Sequence, residues 1–380
     1  MAKTSRTKEI WHIPKRGNVH QTIYMVNLLT WDKFLQKSWS NQKQEMIASE
    51  MGKAGLTESG KAISHQSVRT LLANLPKYLG FVYIDESSTP SKVVVTDAGY
   101  ELLRVHDIES IKKHKNLREY KDAGDLIDIS PMFEKQMIKL IITNPTIKRD
   151  CENILVFPFR LTLKLLLELE YLDMEEIAYI LFHSKNEDEQ ELLKQRILNF
   201  RNLSPDSRSK EIGAYRSTEE GNLTLVKAPS AGYYMYLCCS TGICSRDVVK
   251  VNKIGKNKLT AIKLIDKDKA QALLSNYSNI SAYDFRDNMK LWMEYFANPN
   301  IIEPPFKLEL CTNSDTDILV VVKKGEDIIG SDILGITNKS LNIEVFSEAK
   351  YTINVYELST GKKISEDTFT ASKDATVYAI

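Results

Sequence analysis

The sequence predicts an α+β protein in which two domains of helices and β-hairpins precede a small antiparallel β-sandwich-like domain. Three observations support this prediction. Leucines recur at helical spacing between residues 157 and 203, helical runs lead into a pair of short strands at two places, and apolar and polar residues alternate through the last 75 residues. We therefore divide the chain into domains at residues 1–125, 126–305 and 306–380.

The stretch 157–203 contains three predicted helices with short joints. Leucines predict a helix over 161–169, the pair Leu172-Asp173 caps a second helix, and a third helix runs over 192–200. This arrangement fits a helix-turn-helix, whose last helix can enter a DNA groove. A plain helical bundle fits the same pattern equally well.

The first domain has the order helix, helix, hairpin, which is typical of a winged helix. Ser64 can cap a helix that carries Val68 and the leucines at 71, 72 and 75 inward. The strands Gly80–Ile84 and Lys92–Val95 then form a hairpin. Thr96 begins the closing helix of this N-terminal recognition domain.

Three side chains near the start of the Ser64 helix face outward, namely His65, Gln66 and Arg69. In a helix-turn-helix these positions meet base edges, where Gln suits adenine and Arg suits guanine because each matches two groove atoms. Ordinary solvent exposure explains the same residues without a ligand.

A second winged pattern follows in the second domain. A helix over 231–241, strands at 248–251 and 259–262, and a final helix from Asp266 make up this pattern. The hairpin turn carries Lys253, Lys256 and Lys258, which suit a minor groove or a row of phosphates. Upstream, Ser204–Lys210 is predicted as a loop that could contact phosphates.

Charge and aromatic residues are unevenly distributed. Residues 1–80 contain nine Lys and three Arg against five Asp and Glu, a net charge of +7, whereas residues 306–380 contain eight Lys against twelve Asp and Glu, a net charge of −4. A basic first domain suits a polyanionic partner. Trp11, Trp31 and Trp39 are expected to anchor the N-terminal arm on the unit that follows it.

Composition excludes several classes of protein. No apolar run is long enough to span a membrane, and the N-terminus lacks the apolar core of a signal peptide, so we expect a cytoplasmic protein. The five cysteines form no CxxC pair and the six histidines form no cluster, which argues against a disulfide framework or a structural zinc. No Ser/His/Asp order or phosphate-binding glycine loop is present.

Several short motifs in the same order along the first four-fifths of the chain resemble the AlwI-type family of type IIS restriction endonucleases, which includes strand-specific nicking enzymes. The motifs are Leu79–Ile84 with Val95–Gly99, Glu134–Lys139, Pro158-Phe159, Leu172 with Glu176–Ala178, Ile197 with Phe200-Arg201, Trp292 with Glu294–Phe296 and Asn298-Pro299, and Pro305-Phe306. The resemblance implies a DNA-recognition region that ends near Pro305.

The resemblance also implies a nuclease domain with acidic residues around a metal ion after Pro305-Phe306. The remaining 75 residues instead predict short strands, at 318–322, 341–346, 351–358, 364–370 and 377–380. An alternative places a Mg²⁺ site at Asp315, Asp317, Glu348 and Lys350. A turn is the more natural setting for Glu348, so we predict no catalytic or metal residues and no cofactor in this chain. Mg²⁺ is expected only where a nuclease activity or a nuclease partner is present.

The sequence therefore predicts a double-stranded DNA-binding protein that is the recognition component of a type IIS-like restriction endonuclease. Cleavage is assigned to a separate nuclease subunit that the C-terminal domain recruits, and that domain could also form a homo-oligomer. The alternatives are a complete Mg²⁺-dependent endonuclease or nickase and a transcriptional regulator. The candidate DNA-binding residues are Ser64, His65, Gln66, Arg69, Lys92, Arg201, Arg208, Lys210, Arg216, Lys253, Lys256 and Lys258.

Overall fold

The computed structural model describes residues 10–14, 19–53, 64, 67–69, 75–87, 89–105, 130–146, 153–227, 229–250 and 258–380. The chain divides into two compact units, Met1–Ile301 and Ile302–Ile380. The first unit is mainly helical with two small antiparallel sheets, and the second is built of strands. The α+β class predicted from the sequence is confirmed.

The first part of unit 1 consists of helices around one hairpin. Its elements are α1 (Val19–Leu29), α2 (Asn41–Lys53), α3 (Leu75–Tyr78), β1 (Val82–Asp85), β2 (Lys92–Val95) and α4 (Asp97–Arg104). The predicted hairpin is present, with Val82 opposite Val95. Thr96 caps α4 by accepting from the N–H of Gly99 at 3.1 Å, and its hydroxyl donates to the carbonyl of Gly80 at 2.6 Å.

The second part of unit 1 begins with a helix that packs against the first part. Its elements are α5 (Ser130–Lys139), α6 (Pro158–Leu169), β3 (Tyr171–Asp173), α7 (Met174–Tyr179), α8 (Gln190–Arg201), α9 (Pro205–Arg216), α10 (Glu219–Gly221), α11 (Ser230–Ser240), β4 (Cys244–Lys250), β5 (Lys258–Leu264), α12 (Lys267–Asn276) and α13 (Met289–Phe296). Strand β5 lies between β3 and β4, and both pairs are antiparallel. The short strand β3 thus joins the later hairpin to the start of α7.

Helix α5 connects the two parts of unit 1 through a buried amide. The Nε2 of Gln136 donates to the carbonyl of Leu79 at 2.8 Å and to that of Phe296 at 2.9 Å. Gly80 has φ +70°, and a Cβ there would lie 2.6 Å from the Phe296 ring. A glycine is required because both the backbone conformation and the close ring approach exclude a side chain. Unit 1 ends at Ile301 and thus contains the stretch 1–125 and most of the stretch 126–305, which were predicted as separate domains.

Two buried cations bind carbonyls near helix C-termini. The Nζ of Lys139 donates to the carbonyls of Tyr295 and Asn298, at 2.7 and 2.8 Å, where α13 ends. Arg160 donates to the carbonyls of Ile138 and Ile280, at 3.0 and 2.9 Å, near the ends of α5 and α12. A cation at this end of a helix is favourable because the last carbonyls carry partial negative charge. Burial nevertheless lowers the pKa of Lys139 to about 7.

Unit 2 is a β-sandwich of seven strands. The strands are β6 (Phe306–Cys311), β7 (Ile318–Lys324), β8 (Asp327–Leu334), β9 (Ser340–Val345), β10 (Lys350–Glu357), β11 (Lys363–Thr370) and β12 (Val377–Ala379). One sheet has the order β11-β10-β7-β8 and the other the order β12-β6-β9. Apolar side chains from both sheets, including Leu308, Val320, Ile343 and Ile353, form one shared core.

Three details of the prediction are corrected. Strands β6 and β8 were not predicted, and β12 pairs with β6 in parallel rather than antiparallel orientation. Trp11 is buried and anchors the N-terminal arm on the second part of unit 1. Its Nε1 donates to the carbonyl of Ser184 at 2.9 Å, and its ring packs on Phe182 and Tyr234.

No helix in the described part of the chain is long and apolar enough to cross a bilayer.

Candidate nucleic-acid interface

The structure describes part of the helix that Ser64 was predicted to cap and that was predicted to contact DNA bases. Ser64 Oγ accepts from the N–H of Ser67 at 3.2 Å, which is the expected cap. Val68 is buried and Arg69 is exposed, in agreement with the predicted faces. His65 and Gln66 lie outside the described residues. Lys92 is exposed at the start of β2, and the contact of all these residues with DNA stays a prediction.

An acidic cluster forms where β3 meets α7. Asp173 caps α7 by accepting from the N–H groups of Glu175 and Glu176, at 2.9 and 3.0 Å. Glu176 Oε2 in turn accepts from the N–H of Asp173 at 3.0 Å, which completes a capping box. All three carboxylates are buried. Buried carboxylates of this kind require positive partners.

Arg201, at the end of α8, is the first of these partners. Its Nε and Nη2 contact the two carboxylate oxygens of Glu176 at 2.7 and 3.0 Å. Further bonds from the same guanidinium reach the carbonyls of Leu169 and Tyr171, at 3.1 and 2.6 Å. Burial and the nearby Asp173 raise the pKa of Glu176 to about 7, and the Arg201 contact acts in the opposite direction.

Arg208 and Arg216, both on α9, bind the other two carboxylates. Arg208 is 4% exposed, and its guanidinium contacts Asp173 Oδ2 at 2.8 Å and Glu175 Oε2 at 3.1 Å. The Nη2 of Arg216 contacts Glu175 Oε1 at 3.3 Å, while 48% of the Arg216 side chain remains exposed. The cluster therefore joins α7, α8 and α9 by charge-assisted hydrogen bonds.

This cluster changes the expected roles of the predicted arginines. Arg201 and Arg208, predicted as DNA contacts, use their guanidinium groups inside the protein. Lys210 and Arg216, by contrast, are exposed. The segment predicted as the loop Ser204–Lys210 is the start of α9, because Ser204 caps the helix and Pro205 occupies its first turn.

Helix α11, predicted at 231–241, has no fully exposed residue. Each of its residues is buried or partly buried. The hydroxyl of Tyr234 lies 2.6 Å from that of Thr162, and its ring contacts Trp11. This helix therefore offers less free surface to a DNA groove than a helix with a fully exposed face. Of the lysines predicted at the hairpin tip, Lys253 and Lys256 lie outside the described residues, and Lys258 begins β5.

The four residues of the alternative Mg²⁺ site lie toward opposite ends of one sheet. Asp315 and Asp317 precede β7, whose first residue, Ile318, pairs with Glu357 at the end of β10. Lys350 is the first residue of β10, and Glu348 lies two residues before it. With a rise of about 3.3 Å per residue, this strand separates the two pairs by roughly 20 Å. Ligands of one Mg²⁺ bind at about 2.1 Å from the ion, so these four residues do not fit one metal site.

Both ends of this alternative site also have local structural roles. Asp317 Oδ1 accepts from the N–H of Ile336 at 3.1 Å and so fixes the loop between β8 and β9. Glu348 has φ +61° in a turn, as its setting after a strand suggested, and its N–H donates to the carbonyl of Ala371 at 2.8 Å. Among the described residues, no group of three or more His, Cys, Asp or Glu side chains could hold a metal ion.

Sequence reasoning missed the carboxylates that hold α9. The sequence predicted Asp173 and Glu176 only as part of the start of a helix and gave Glu175 no role, and the capping box was the available signal. Their arginine partners lie 25 to 41 residues further along the chain. Spacing alone could not pair them.

Comparison with known proteins identifies the family. No curated protein matches this chain. The family model described as AlwI restriction endonuclease matches residues 77–296, which run from α3 to the end of α13 and make up more than half of the chain. The chain therefore belongs to the AlwI restriction endonuclease family.

Proposed function

We propose that this chain binds double-stranded DNA at a specific sequence, as the recognition component of a type IIS-like restriction endonuclease. The observation that carries this proposal is the family match at residues 77–296, which falls within unit 1. Restriction endonucleases act on DNA, so family membership makes DNA the partner. Exposed cations at Arg69, Lys92, Lys210 and Arg216 supply candidate contacts on this unit.

We infer a winged-helix origin for the second part of unit 1. Helix α6, strand β3 and helix α7 are followed by α11 and the β4–β5 hairpin, and β3 pairs with β5. A winged helix has this order of three helices and three strands, with the short first strand added to the hairpin. Helices α8, α9 and α10 form an insertion between the second and third helices of that pattern. The hairpin of β1 and β2 before α4 supports a similar origin for the first part.

We also propose that a separate nuclease subunit supplies cleavage. The wide separation of Asp315 and Asp317 from Glu348 and Lys350 supports this assignment. Unit 2 is the candidate for recruiting that subunit or a second copy of the chain. The four described cysteines are free thiols, which supports a cytoplasmic location.

Cleavage tests separate the recognition component from a complete nuclease. Wild-type protein and the Glu348→Ala variant are incubated with Mg²⁺ and mixed supercoiled DNAs, and nicked and linear products are measured on gels. We expect neither protein to cut and both to bind DNA equally, because Glu348 lies in a turn of unit 2. Glu326→Ala, in the exposed turn after β7, is the matched control. The proposal of a separate nuclease would be overturned if wild type and Glu326→Ala nick DNA and Glu348→Ala does not.

A further inference from the structure

Helix α9 has one docked face and one open face. Arg208, Ile212 and Tyr215 are buried, and the hydroxyl of Tyr215 donates to the carbonyl of Ala178 at 2.8 Å. The opposite face of the helical wheel is exposed over its whole length and carries short side chains around one lysine. Its members are Asp206, Ser207, Lys210, Gly213 and Ala214.

The open face has no side chain at Gly213, near its centre. A Cβ added at Gly213 would meet no heavy atom within 4 Å, so the glycine serves no packing need inside the protein. Glycine stabilises a helix less than alanine does. A glycine on an exposed helical face is therefore unfavourable for folding, and it allows another molecule to approach the backbone closely.

Two basic side chains lie on or beside the open face. Lys210 lies at its centre and Arg216 on its flank, where Glu175 holds one nitrogen of the guanidinium and leaves the side chain half-exposed. Asp206 and Glu211 are exposed on the same helix and can accept from the amino group of cytosine. An α-helix is about 10–12 Å wide and the major groove about 12 Å, so a helix with short side chains fits the groove closely.

We propose that α9, rather than α11, is the helix of the second part of unit 1 that enters the DNA major groove, with Lys210 and Arg216 contacting the DNA. This inference rests on the proposed DNA-binding function. Helix α11 holds the third-helix position of the winged pattern, but none of its residues is fully exposed, whereas α9 has one fully exposed face and is held by the Arg208 ion pairs. The buried Arg208 contacts fix its orientation before DNA binds.

The test uses a library of short duplexes with a random central sequence. Wild-type protein selects binding sites from this library, and dissociation constants for the recovered site are then measured for four variants. Gly213→Gln, Lys210→Ala and Arg216→Ala alter the open face of α9 or its flank. Ala272→Gln adds the same side chain as Gly213→Gln at an exposed position of α12 and is the matched control.

We expect Gly213→Gln to bind the recovered site ten-fold or more weakly while its Tm equals or exceeds that of wild type, because glutamine is the better helix former. Arg216→Ala and Lys210→Ala should both bind the recovered site more weakly, and Lys210→Ala should do so with no change in Tm. Ala272→Gln should behave as wild type. If α9 has only a structural role, variants that bind DNA more weakly should also have a lower Tm.

Two results would overturn the inference in distinguishable ways. If wild type enriches no sequence, the proposed function fails and the inference fails with it. If wild type enriches a site and the three α9 variants bind that site as tightly as wild type, DNA recognition stands and α9 is not its reading helix. Lys210→Ala removes an exposed side chain only. Its binding therefore distinguishes this second outcome even if Gly213→Gln lowers the Tm.

Discussion

Raising the salt concentration from about 50 to about 200 mM is expected to weaken the binding of duplex DNA by roughly 10³- to 10⁴-fold. Each phosphate contacted by Lys or Arg contributes a slope of about −0.9 to the logarithm of affinity against the logarithm of salt, and we expect on the order of 5 to 8 contacts. The net charge of +7 over residues 1–80 and the exposed cations of unit 1 are the basis for this number.

Fluorescence anisotropy with one labelled duplex, repeated at several salt concentrations, measures this slope. Lys210→Ala should make the slope shallower by about one contact. The surface substitution Ala272→Gln leaves all charges in place and should give the wild-type slope. An affinity that barely changes over this range of salt contradicts binding through phosphate contacts.

Arg208→Met is expected to lower the free energy of unfolding of unit 1 by about 3–5 kcal/mol. The substitution removes the guanidinium that neutralises Asp173 and part of Glu175, and both carboxylates are buried. Methionine keeps an apolar side chain near the Phe200 ring, on which the guanidinium now lies at 4.3 Å. The loss is therefore mainly the cost of a buried charge without its partner.

Urea denaturation followed by tryptophan fluorescence measures this loss. All four tryptophans lie within residues 1–301, so the signal reports unit 1 alone. Arg104→Met is the control, because Arg104 is exposed and its ion pair with Glu101 lies at the surface. Equal urea midpoints for the two variants would show that the acidic cluster does not hold α7, α8 and α9 together.

Local patterns in the sequence predicted most elements near their observed positions. Alternation of apolar and polar residues predicted the strand pair at 80–84 and 92–95 and the strands β7, β9, β10 and β11. Capping predicted the start of α4 at Thr96. Strand β8 was missed because it is an edge strand with exposed residues and an internal glycine, so it lacks a buried apolar stripe. Strand β6 does alternate, so the sequence contains a signal for it next to Pro305-Phe306.

The candidate interface was harder to predict because its organisation depends on distant contacts. An arginine next to serines suggests a surface, yet Arg208 is buried by carboxylates 33 and 35 residues earlier in the chain. Trp11 reaches Ser184, which is 173 residues away. These contacts determine which arginines are exposed, and no local period in the sequence encodes them.

The ratio of two dissociation constants tests DNA-sequence recognition by this chain most directly. One constant is measured on a duplex recovered by selection, and the other on a scrambled duplex of the same length and base composition, at one fixed salt concentration. We expect the recovered duplex to bind at least about 10³-fold more tightly, as sequence-specific proteins do. Equal constants for the two duplexes would contradict sequence-specific recognition.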